Sequence, residues 1–325
     1  MDRPFEPRLQ RLDLVPPRRI GAHGGPTRGS AYGPSWHRTG HGLFVPASRP
    51  STPEQRVVES VMPMPVDAAL TGWAALRLAG AAFFDGRSRP VSAVVGAHRT
   101  PRPRQGVRWI HRDVDATVRT VAGLRLLEPA AALLDHLTDE IRRGRPREAV
   151  VGIDMAIAAG VCSLAALHDV AAARPRLARR AHVEQVIRQA RAGSASPPES
   201  RLRLLWTLDC GLPAPQVNHW LLDEAGRRVA VPDLLDPESG LVVEYDGREH
   251  AADRRRARDA EKDDIYRELG LEPVRVTGPD MTRPLAVADR LQRAYARAVS
   301  SSRPRRWAVG EPFTRTQISP TCPTT

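Results

Sequence analysis

The chain has 325 residues, of which 41% are hydrophobic, and it carries 24 glycines, 30 prolines and a formal net charge of +12. That length suffices for two domains with cores of their own, and the excess of chain breakers predicts unstructured sequence beside them. No run is long and apolar enough for a bilayer, the opening MDRPFEPRLQRLDLVPPRR lacks a signal-peptide core, and Cys162, Cys210 and Cys322 are too scattered for a zinc knot or disulfide framework, which excludes a membrane span and points to a reducing cytoplasm.

Residues 1–34, rich in Arg, Gly and Pro without sustained periodicity, are predicted to be a disordered basic N-terminus. Arg38–Pro46 reads as a short extended piece with glycines at its turns. Helices are expected at 53–62, with Pro53 following Thr52, and at 66–79, where Ala68, Ala69, Leu70, Trp73, Leu76, Leu78 and Ala79 form one apolar face. PVSAVVGA (90–97) and VRWIHR (107–112) read as strands, and Leu126–Leu137, 146–159 and 163–173 as helices. Residues 35–190 thus form a mixed α/β domain without a recognisable catalytic constellation. The basic loop His98, Arg99, Arg102 and Arg104 is read as solvated, and the basic stretch Arg174–Arg191 as partly helical. The linker AGSASPP ends it at Pro198.

Residues 196–299 read as a second domain in the order αβββαβ. A helix covers Pro197–Asp209, strands cover Gln216–Leu222, Arg228–Leu235 and Leu241–Asp246, a helix covers Ala251–Leu269 up to Gly270, and a strand covers Glu272–Thr277. A last helix is predicted at 283–299, and 300–325 as a disordered tail.

The third strand carries the chemistry. Leu241, Val242 and Val243 suit a central strand covered on both faces. It ends Glu244-Tyr245-Asp246, with two carboxylates on one face. The preceding strand ends Val231-Pro232-Asp233-Leu234-Leu235, with another carboxylate among apolar neighbours, and a tight turn at 236–240 brings Asp233 beside Glu244. Crowded carboxylates among apolar residues are costly unless a cation neutralises them. Mg²⁺ (or Mn²⁺) with Asp233, Glu244 and Asp246 as ligands is the expectation, serving water activation and phosphate hydrolysis. Solvation or pairing with arginines is the alternative.

VPDLLD, LVVEYDGREH, the basic helix and LEPVRVT resemble the domain-of-unknown-function family 559, which is similar to the very-short-patch-repair (Vsr-type) endonucleases of the PD-(D/E)XK superfamily. The resemblance covers about 85 residues and implies a restriction-endonuclease-like fold and Mg²⁺-dependent cleavage of DNA. By position, Asp233 is the acid of the P-D element and Glu244 the acid that follows. Asp246 stands where most such enzymes place lysine, so the water-activating group has two candidates. His250 follows the strand at a turn, and Vsr-type relatives use histidines in this neighbourhood. Lys262 is the one lysine among the 49 basic residues, and lysine, unlike arginine, can release a proton. Glu199 is either a further carboxylate or half of a capping box with Ser196. Arg255 and Arg258 share a helical stripe with Lys262 and are candidate phosphate contacts, diluted by Asp259, Glu261, Asp263 and Asp264.

Arg38–Pro46, TPEQRVV and ALTGWAALRLAG resemble the N-terminal part of antitoxin-like proteins of the abortive-infection type IV class, though the winged-helix module such proteins carry before this point is replaced by Gly- and Pro-rich sequence. The functional expectation is a DNA endonuclease or nickase, in repair or phage defence, with DNA as partner and a protein of a defence or toxin–antitoxin operon as a further candidate partner. The alternatives are a catalytically inactive DNA-binding regulator of antitoxin type and a protein-interaction module that takes up no metal.

Overall fold

The computed structural model describes residues 14–87, 89–113, 118–121, 123–246 and 262–313. The chain divides into two units, Met1–Gln189 and Ala190–Thr325, and both mix helices with mixed sheets. Among the described residues no helix is long and apolar enough to cross a membrane.

In the first unit, β1 (Arg18–Arg19), β2 (Trp36–Gly40) and β3 (Leu43–Pro46) make a small antiparallel sheet in the order β1-β3-β2. Residues 14–34, expected to be disordered, therefore supply an edge strand and the buried Ala31. After α1 (Pro53–Val61), capped by Thr52, the predicted helix 66–79 divides into β4 (Ala69–Thr71) and α2 (Gly72–Leu78). Gly72 sits at φ +61, a conformation that cannot continue a helix backwards, and Leu70 is fully buried between neighbouring strands. β5 (Val91–Val95), β6 (Val107–His111), β7 (Val118–Val121) and β8 (Leu124–Leu127) complete a five-stranded sheet in the order β6-β5-β4-β8-β7. The predicted helix from Leu126 begins at Pro129, because Leu124–Leu127 pairs as a strand and Pro fits the first helical turn. Helices α3 (Pro129–Arg142), α4 (Pro146–Ala158), α5 (Leu164–Ala173) and α6 (Arg180–Gln189) follow.

In the second unit, α7 (Pro197–Leu204) runs into a π-helical turn at Leu205–Asp209. Two strands predicted as continuous are broken. The first becomes β9 (Gln216–Val217) and β10 (His219–Asp223), separated by Asn218 at φ +51. The second becomes β11 (Arg228–Ala230) and β12 (Leu234–Leu235), separated by Val231-Pro232-Asp233, where Pro232 has no N–H for a ladder. With β13 (Leu241–Asp246), β14 (Glu272–Thr277) and β15 (Trp307–Pro312), the pieces sort into two sheets, β14-β13-β12-β9 and β11-β10-β15. β13 pairs parallel with β14 and antiparallel with β12.

β13 is buried on both faces, as its apolar run implies. Leu241 and Val243 pack with Leu202, Trp206 and with Leu291 of α9 (Pro284–Val299). Val242 faces the other way, with Leu221, Leu235, Tyr266, Leu271 and Trp307. Tyr266 belongs to a helix, α8, whose described part is residues 262–268 and which ends at Gly270, φ +86. The rest of the helix predicted over Ala251–Leu269 lies outside the described residues. Within the tail expected at 300–325, Trp307–Pro312 is instead part of the fold, since β15 pairs with β10 and buries Trp307, while residues 314–325 lie outside the described residues.

Candidate acidic site

The break between β11 and β12 puts Asp233 immediately before Leu234, whose register partner is Val243, so Asp233 stands opposite Glu244. Leu235 and Val242 share the face turned towards α8, and Glu244, two residues beyond Val242, emerges on that face beneath Tyr266. Asp233 Oδ2 accepts the Tyr245 N–H at 2.6 Å. Glu244 is only 8% exposed. Its Oε1 accepts from the Tyr266 hydroxyl and lies 2.7 Å from Lys262 Nζ. That ammonium also donates to the Val231 carbonyl at 3.0 Å, which ties α8 to the residues leading into Asp233.

A second polar hub holds the site from the other side. Asn218 donates its backbone N–H to the Asp233 carbonyl at 3.1 Å and its side-chain amide to Gly193 O at 2.8 Å and Glu199 Oε2 at 2.9 Å. Asn tolerates the left-handed backbone that breaks β9 from β10 better than a β-branched residue such as the neighbouring Val217. Glu199 is buried and accepts from Ala195 N at 2.8 Å and Ser196 Oγ at 2.7 Å, so Ser196 caps the helix and Glu199 reaches back one residue further than a capping box, to the residue before the cap. The two readings of Glu199 are compatible: it caps α7 and its charge reaches Asp233.

The electrostatic consequence is concentrated on Asp233. Burial, then Glu244, then Glu199 push its carboxyl up to about 7, against the opposing effects of the Tyr245 N–H and Lys262. Burial and the adjacent Glu244 also push the Tyr266 hydroxyl far above the usual phenol range, so it stays a proton donor to Glu244. Arg275, next to Glu244 in the β13–β14 register, is held by Asp263 at 2.9 Å. Among the described residues the Lys262 ammonium contacts Glu244, while the charges of Glu244 and Glu199 both bear on the partly buried Asp233. Such a site favours a proton or a second cation.

The structure brings together Asp233, Glu244, Lys262 and Glu199. Asp246 lies one pleat further along β13 and joins no metal-binding group: among the described residues no three His, Cys, Asp or Glu side chains converge in that way. His250, Arg255 and Arg258 lie outside the described residues. Sequence reasoning missed Asn218 and Tyr266. The first was visible as an amide interrupting an apolar strand, QVNHWLL, whereas the second reads as an ordinary core anchor of its helix. In comparisons with known proteins, no protein-family model, no curated protein and no solved structure matches this chain.

Proposed function

We propose that the second unit is a metal-dependent DNA endonuclease or nickase that hydrolyses phosphodiester bonds. The observation carrying this reading is the pairing of Asp233 and Glu244 on adjacent strands, with Asp233 pushed up to about 7 and the chain's one lysine on Glu244. The carboxylate pair suits a hard divalent cation: Mg²⁺ binds through one or two carboxylates and keeps several waters, and a carboxyl raised by burial and then by neighbouring negative charge is one a cation would deprotonate. Asp233 and Glu244 are the proposed donors. When bound, Mg²⁺ or Mn²⁺ supplies an acidified water and positive charge against the phosphate.

The chain's own residues supply the rest. Lys262 is assigned the proton-handling role that Asp246 leaves open, because an ammonium at 2.7 Å from Glu244 can give up a proton and a guanidinium cannot. Tyr266 orients Glu244 as a fixed donor, while Asn218 fixes the Asp233 backbone and shields Glu199. The chain order α7, β9–β10, β11–β12, β13, α8, β14 supports a restriction-endonuclease-like αβββαβ reading, although the broken strands divide between two sheets. A net charge of +12 suits DNA as partner.

One observation favours the rival reading, an inactive DNA-binding regulator of antitoxin type: the Lys262 ammonium already neutralises Glu244. Incubation of supercoiled plasmid and mismatched duplex with Mn²⁺, against EDTA and against Glu244→Ala, separates the two. The nuclease reading expects nicked product from the wild type with metal alone. DNA retention without cleavage in every arm establishes the regulator.

A further inference from the structure

The segment joining α9 to β15 crosses the end of the second unit opposite the carboxylates. Gly240, at the start of β13, is four residues or about 13 Å from Glu244, and it lines a cleft of about 450 Å³. That volume lies within the range of small-molecule sites, about 300–1,000 Å³. Two of the cleft's lining residues are glycines held at positive φ, Gly240 at +79 and Gly270 at +86. At Gly270 the restriction is also steric, since a Cβ would sit 2.4 Å from the Pro304 carbonyl oxygen.

The walls combine two chemistries. Arg305 lies over Trp307, its guanidinium carbon 4.0 Å from the ring centroid, and this stacking fixes the plane of its donors. Arg303 reaches the same cleft on a half-exposed side chain whose contacts are long, 3.9 Å to Glu272 and 3.4 Å to the Leu271 carbonyl. Arg303 and Arg305 both line the cleft, and guanidiniums carry the forked donors that match a phosphate. Beside them, Tyr295 and Val299 form an apolar wall, and Val299 is 61% exposed. Glu238 at the rim is an acceptor for hydroxyls or an exocyclic amine.

We propose that this cleft is a binding site for a nucleoside monophosphate, the phosphate held by Arg303 and Arg305, the base laid on Tyr295 and Val299, and the sugar or base edge met by Glu238. The proposal stands apart from the nuclease reading, since it uses none of the carboxylate site's residues. The test is calorimetric titration of the full chain with AMP and GMP in EDTA, with adenosine and inorganic phosphate as separate arms. A mononucleotide is expected to bind about tenfold or more tighter than either half alone, and Arg303→Ala and Val299→Asp to weaken it by a similar factor. Arg305→Ala belongs to the series if its thermal transition is retained; the other two variants alter exposed side chains and carry the test without it. Absence of AMP or GMP binding at about 1 mM overturns the proposal. So does equal binding of phosphate alone, or affinity unchanged in the variants. Displacement of AMP by a short oligonucleotide at lower concentration overturns it too, because the cleft would then hold a strand.

Discussion

Replacing Asp233 by Asn removes one ionisable proton site and keeps an acceptor for the Tyr245 N–H, so its effect is chiefly electrostatic. In the unfolded chain Asp233 ionises near 3.8, whereas in the folded protein it holds its proton to about 7. Between those values the folded state binds more protons, so the contribution is largest below pH 4, declines as pH rises and is gone above about 7. Each pKa unit corresponds to about 1.36 kcal/mol, which makes the full effect about 4 kcal/mol; partial solvent access at the carboxyl reduces the expected range to about 2–4 kcal/mol. Urea unfolding of wild type and Asp233→Asn at several pH values from 4 to 8.5 in EDTA reads this directly. Relative to wild type, the variant is expected to gain about 2–4 kcal/mol across that range, with the change concentrated below pH 7. Curves that stay parallel would refute the claim that burial, with the charges of Glu244 and Glu199, makes Asp233 hold its proton towards neutral pH.

Lys262→Arg keeps the charge on Glu244 but removes proton exchange, so DNA retention is expected to persist in gel-shift assays while plasmid nicking is lost. Lys262→Met leaves Glu244 buried without its cation and is expected to cost about 1–3 kcal/mol in urea unfolding, less than a wholly buried pair because the lysine is about one-third exposed. Tyr266→Phe removes the hydroxyl on Glu244 and is expected to cost about 1–2 kcal/mol in the same assay. Asn218→Ala loses the donor to Glu199 and strains the left-handed backbone, for an expected loss of about 1–3 kcal/mol.

What was legible in the sequence followed from patterns that physics makes unusual. Glu244 after Leu241-Val242-Val243, and Asp233 among Val231, Leu234 and Leu235, are carboxylates where apolar residues belong, and the fold places them opposite each other. Lys262 stood out only by composition; its approach to Glu244 depends on how α8 packs, which its distance along the chain from β13 conceals. The strand breaks at Asn218 and Pro232 were harder to read, because β10 and β11 keep the alternation of β9 and β12 while joining another sheet. β15 was hidden by its flanks: Trp307–Pro312 is a short strand bordered by Arg-Pro-Arg-Arg, and its partner β10 is distant in sequence. In the first unit, an apolar run fits helix and strand alike, and Gly72 decides where β4 gives way to α2.

Titrating Mn²⁺ calorimetrically into the full chain at pH 7.5, in two buffers of different ionisation enthalpy, probes the carboxylate pair without needing the DNA substrate. Saturable uptake with buffer-dependent heat from a released proton is the expected result, abolished in Asp233→Asn and in Glu244→Gln. Uptake that is absent, or that both variants retain unchanged, contradicts the assignment of a divalent cation to Asp233 and Glu244.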